Sequence, residues 1–110
     1  MITANGGDGI SLRTWGGETL IAHNVAAGNR GNGILGLVVA HWRVSANLAA
    51  RNGASGIAIA GAVEDAVVAR NHASGNGGLG IDAAAGVADG GGNRAGVNNG
   101  PNQCAGVFCY

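Results

Sequence analysis

Asparagine, a second asparagine five residues later, a glycine four beyond that and then isoleucine: this spacing occurs at Asn71, Asn76, Gly80 and Ile81, and it recurs along the chain. The same offsets relate Asn47, Asn52, Gly56 and Ile57, and again Asn24, Asn29, Gly33 and Ile34. The chain opens inside a copy at Asn5, Gly9 and Ile10 and closes inside one at Asn93 and Asn98. Successive first asparagines lie 23, 24 and 22 residues apart. Repeats this short cannot each bury a core alone, so neighbours must stack and share one. The sequence therefore predicts a solenoid. Because residue 5 already occupies a repeat position, the chain reads as the C-terminal piece of a longer protein.

Aligning the copies shows which side chains face inward. Three residues before the first asparagine come Ile21, Val44 and Val68, and two after it come Ala26, Ala49, Ala73 and Ala95. Directly after the glycine come Ile10, Ile34, Ile57 and Ile81. Each column is apolar while its neighbours vary, which is the alternation of short strands. Three short strands per turn describe an all-β parallel β-helix of about four coils of 22–24 residues, with rungs about 4.8 Å apart. Asparagines at the bends are expected to take the left-handed backbone region and to hydrogen-bond from rung to rung as a ladder. Residues 1–98 should form the coils and residues 99–110 a capping tail.

Two competing folds are weighed against this. A leucine-rich repeat also has a period of this size, but it wants leucine five residues before the asparagine. Thr19, Trp42 and Ala66 stand there instead. A helix is locally possible over 62–70, where alanines favour it and Glu64 and Asp65 lie near its start. The equivalent segments 17–23 and 40–46 hold Thr, Val, Ile and Trp, which favour strand. In the last coil, Val87 to Gly92 reads as a glycine segment replacing the strand.

Apolar residues make up 46% of the chain, yet the aromatics are only two Trp, one Tyr and one Phe, so the core must be thin. Glycine, at 23 residues, without a collagen triplet points to many tight turns. Six basic and six acidic residues balance to zero, so no electrostatic footprint for nucleic acid or an anionic membrane is present. No apolar run is long enough to span a bilayer, and the first residues have no signal-peptide pattern. Cys104 and Cys109 are close together in the last residues. This fits a small disulfide loop and an oxidising compartment, with a free thiol pair as the alternative. With Pro101, Phe108 and Tyr110 they read as a cap over the last rung, whose strand edges would otherwise invite aggregation. No comparable cap precedes Asn5, which leaves upstream coils or self-association to cover that edge.

The repeats from Asn24-Val25-Ala26-Ala27-Gly28-Asn29 through Gly33-Ile34, with their two successors, resemble the secreted right-handed parallel β-helix proteins of the pectin-lyase-like superfamily. The tail, Gly91-Gly92-Asn93-Arg94-Ala95 followed by Asn102-Gln103-Cys104 and Cys109, looks like the C-terminal end of bacterial members. The resemblance implies a secreted or cell-surface protein, with polysaccharide as the partner class. It does not choose an activity, because the superfamily holds lyases, hydrolases, epimerases, adhesins and tailspikes. Its lyases use clustered aspartates with calcium and its hydrolases close aspartate pairs. Asp8, Glu18, Glu64, Asp65, Asp82 and Asp89 match neither arrangement, so no catalytic residue carries over and no cofactor is implied. Calcium would enter only if the parent protein were a lyase.

One outer column stands out. Glu18, His41 and Asp65 each lie six residues before a first asparagine. Stacking places a histidine between two acids, which would favour its charged form and suit it to cation contact or proton shuttling. A one-residue slip would put Glu64 there instead. Trp15 and Trp42 beside it would offer flat faces to sugar rings. The plain alternatives are a solvated line of turn residues and, for Trp42, core packing. His23, Arg70 and His72 read as surface. The glycine runs lack a strand-loop-helix context for phosphate, and two thiols alone are insufficient for zinc.

Overall fold

A computed structural model describes residues 2–13, 18–99 and 103–109. Three parallel sheets wrap around one narrow core and advance together as a β-solenoid of about four turns. Residues Ile2–Thr3 (β1), Val25–Ala27 (β4), Leu48–Ala50 (β7), His72–Ser74 (β10) and Arg94–Gly96 (β13) form the first sheet. The second holds Ile10–Leu12 (β2), Ile34–Ala40 (β5), Ile57–Glu64 (β8), Ile81–Ala83 (β11) and Cys104–Ala105 (β14). Thr19–Ala22 (β3), Trp42–Ser45 (β6), Ala66–Ala69 (β9) and Val87–Gly91 (β12) form the third. Each strand pairs with its equivalents one coil away, so like stacks on like.

The apolar columns lie inside in the expected register. Ile10 pairs with Ile34, Ile34 with Ile57, Ile57 with Ile81, and Ile81 with Cys104. Ala26, Ala49, Ala73 and Ala95 form a second line, and Ile21, Val44 and Val68 a third. No helix occurs among the described residues; the 62–70 stretch lies in β8 and β9. The last-coil glycines do not replace a strand either. Backbone pairing needs no side chain, and β12 runs alongside β9 with one irregularity between Asp89 and Gly91.

Two asparagine ladders run the length of the solenoid. In the first, the amide nitrogens of Asn24, Asn47 and Asn71 donate to the Oδ1 of Asn47, Asn71 and Asn93 at 3.1, 3.0 and 3.2 Å. Each of these acceptors also takes the backbone N–H of the preceding asparagine. The second ladder joins Asn5, Asn29, Asn52, Asn76 and Asn98 in the same way. The second amide proton of Asn47, Asn71 and Asn93 goes to the carbonyl of Ile21, Val44 and Val68, respectively. From Asn47 through Asn93 these side chains are buried and fully paired, which removes the desolvation cost of an amide in an apolar core.

The left-handed backbone falls one residue earlier than the sequence reading placed it. The asparagines keep negative φ, and the residue ahead of each takes the bend: His23, Ala46, Arg70 and Gly92 before the first ladder. Ala4, Gly28, Arg51, Gly75 and Val97 do so before the second. The asparagine amide must reach along the solenoid axis while its own N–H bonds forward, so the chain turns before it. The column glycines answer a different constraint. A Cβ on Gly33 would lie 2.6 Å from Gly56 O and 2.8 Å from the Asn52 amide nitrogen, so the ladder leaves no room for a side chain there.

At the C-terminal end both ladders stop on a foreign side chain. Gln103 Oε1 accepts the backbone N–H and the side-chain amide of Asn98, both at 2.9 Å. Asp89 Oδ1 accepts the Asn93 amide at 3.2 Å, and its Oδ2 takes the Phe108 N–H at 2.9 Å. Cys104 and Cys109 are joined in a disulfide. With Val107 they pack against the core cluster.

Candidate functional site

The third corner of the coil precedes β3, β6 and β9. Thr19 pairs with Trp42 and Arg43 with Val67, so Glu18, His41 and Asp65, each directly ahead of its strand, fall on one outer line. The register selects Asp65 over Glu64, because the Glu64 carbonyl accepts the His41 backbone N–H. In the last coil the line continues at Gly86, ahead of Val87. His41 and Asp65 adopt φ of 57° and 50° without glycine, and Gly86 follows at 97°. This left-handed turn directs both side chains away from the core.

His41 Nδ1 lies 3.0 Å from Asp65 Oδ2, with the two side chains 42% and 50% exposed. Arg43 fastens the corner. Its Nη1 donates to the carbonyls of Trp42 and Asp65, both at 3.0 Å, and its Nη2 stands 3.5 Å from Asp65 Oδ1. The hydrogen bond to Asp65 raises the His41 pKa above its ordinary 6.5, against partial desolvation, and the charges of Asp65, Glu64 and Glu18 add to the rise. The same hydrogen bond, followed by the Arg43 charge, holds the Asp65 carboxyl below its ordinary value. Water screens these groups, so the pair matters for proton affinity and orientation more than for stability.

Glu18, Thr19, Leu20, His41 and Arg43 line a half-open cavity of about 410 Å³ at this corner. It offers a carboxylate and a hydroxyl as acceptors, a guanidinium and an imidazole as donors, and one exposed leucine. Such a mixture suits a ligand rich in hydroxyl groups. Among the described residues no group of three His, Cys, Asp or Glu side chains converges as a metal site.

Trp42 does not belong to this surface. It is fully buried at 0% exposure, because strand alternation turns it inward between Thr19 and Ala66, whose small side chains leave space for the indole. Its Nε1 finds no hydrogen-bond partner among the described residues. Trp15 lies outside the described residues. Arg43 was missed from the sequence, although alternation could have found it: with Trp42 inward, His41 and Arg43 share the outward parity. No protein-family model, curated protein or solved structure matches this chain.

Proposed function

We propose that this chain is a rigid, non-catalytic segment of a secreted or cell-surface β-helix protein of the pectin-lyase-like kind, and that its third corner contacts polysaccharide. The observation that supports this reading is the bracing of the corner by its own side chains: Arg43 donates to the Trp42 and Asp65 carbonyls and His41 meets Asp65, so the His41 and Arg43 wall of the cavity is tied to the next rung without a ligand. A preformed surface loses little entropy on binding. Sugar hydroxyls would donate to Glu18 and accept from Arg43, and His41 would add a positive charge below its raised pKa. No cofactor is required.

Affinity electrophoresis against polygalacturonate, alginate and a neutral glucan tests the contact. Retardation by at least one polymer, reduced in Arg43→Ala and His41→Ala variants with unchanged circular dichroism, is the expected result. Equal mobility of all three proteins in every gel would remove the third corner from the reading. A second reading, the C-terminal part of a polysaccharide lyase, hydrolase or epimerase, is favoured by the uncovered face at Asn5 and Asn24, where active rungs would stack. Release of unsaturated or shortened uronate product by a longer form of the protein, assayed with and without calcium, would support it.

A further inference from the structure

The two ends of the solenoid are chemically unlike. At the C-terminal end the ladder donors are engaged by Gln103 and Asp89. At the N-terminal end β1, β2 and β3 are the edge strands of their three sheets. Ile10 is only partly buried, whereas Ile34, Ile57 and Ile81 on later rungs are exposed by no more than 1%. The two ladders also end open here. Asn5 and Asn24 donate forward to Asn29 and Asn47, but their own Oδ1 atoms receive no donor among the described residues. Every later asparagine of each ladder receives two donors there.

We infer that this face carries a further coil of the same solenoid, stacked in parallel ahead of Asn5 and Asn24 and donating two asparagine amides to them. This rests on the scaffold reading above and names the partner. The direction of the ladders decides the occupant. A satisfying partner must present N–H donors where Asn5 and Asn24 present acceptors, and must run in the same sense as β1, β2 and β3. A second copy meets neither requirement. Its C-terminal face has its ladder donors occupied by Gln103 and Asp89, and its N-terminal face repeats the same two acceptors. The coil-to-coil contact already repeated along the chain is the one that fits.

Fusing a copy of residues 24–47 directly before residue 1 tests this. The copied Asn47 then precedes Asn24, and the copied Asn29 precedes Asn5, at spacings the chain already uses. A fusion of residues 48–71 supplies the same two donors from an independent sequence. Hydrogen exchange should show amides of β2 and β3 protected about tenfold more or better in either fusion. That gain should fall when the two abutting asparagines of the fused coil are changed to leucine. Unchanged protection in both fusions, or an equal gain with leucine, would overturn the inference. So would sedimentation of the unextended chain as a dimer that protects these same amides, since the occupant would then be a second copy. Protection of the coils from Asn29 to Asn98 reports on the scaffold by itself and is independent of the fusion.

Discussion

Changing Asn71 to alanine should be far more costly than changing Asn24, although both are first-ladder asparagines. In the middle of the ladder, Asn71 Oδ1 accepts the backbone N–H and the amide of Asn47, and its own amide donates to Val44 O. Alanine leaves two buried donors without partners, the Asn47 N–H and one Asn47 amide proton, and removes one bond from the Val44 carbonyl, which lies in the β6–β9 strand pair. At ~1–3 kcal/mol per orphaned buried donor, the loss is about 2–6 kcal/mol. That is a large part of the whole stability of a small domain. Asn24 gives a different sum, because none of the described residues donates to its side chain and Asn47 Oδ1 keeps the Asn24 backbone N–H. Only one amide donor goes, costing roughly 0.5–1.5 kcal/mol. Urea unfolding with the disulfide intact, followed by circular dichroism, measures both variants, and the identical substitution cancels intrinsic preferences. Midpoints corresponding to stabilities within about 0.5 kcal/mol of each other would refute the claim that ladder position sets the cost.

Three further outcomes are expected. His41 should titrate above 6.5 by NMR, with Asp65→Asn lowering its midpoint more than Glu18→Gln, since the Asp65 hydrogen bond is the largest cause and the Glu18 charge the smallest. Because the folded value is raised, any stability from this pair is present below pH 6.5 and lost as pH rises through the folded pKa. Asp89 runs the other way: the N–H groups of Phe108 and Gly91, then the Asn93 amide, depress its pKa below 3.8. Its contribution is therefore full above pH 3.8 and lost as pH falls through the folded value. The urea midpoint should drop in that window in the wild type, and Asp89→Asn, which keeps an Oδ1 acceptor, should flatten the drop. Val97 is β-branched at φ of 60°, so Val97→Asn should raise the thermal midpoint in calorimetry through relief of ~1 kcal/mol of backbone strain.

Columns were legible because stacking makes one physical environment recur at one spacing. Any residue type that the environment demands then repeats, as Ile57, Ala49 and Asn47 do. What was not legible lies where the environment occurs once. Gln103 and Asp89 end the ladders by imitating asparagine with a different side chain at a different offset, and only hydrogen-bond geometry identifies them. Asp89 even stands in register with Val68, so an acid closes a line that is apolar on every earlier rung. The bend was assigned to the asparagines because they tolerate a left-handed backbone. The structure places it one residue earlier, where Arg51 and Val97 show no compositional sign of it. At the third corner the alignment of Glu18, His41 and Asp65 followed from spacing, while Arg43 and the inward aim of Trp42 required the parity of β6.

The three corners differ in how freely the chain can change length. From first asparagine to second, and from second to isoleucine, the spacing never varies, whereas from isoleucine to the next first asparagine it is 14, 13, 14 and 12 residues. Among the described residues, both register irregularities, at Leu37/Val39 and Asp89/Gly91, fall in this variable arc. An extra residue inside an asparagine corner would misalign an amide with two neighbours at once, but an extra residue in the third arc displaces only a strand end. Insertions can thus accumulate at one corner of every rung without loosening the fold. Loops grown there would emerge over His41 and Asp65, so a protein of this architecture can reshape the surface at that corner by lengthening one arc while the other two hold the pitch.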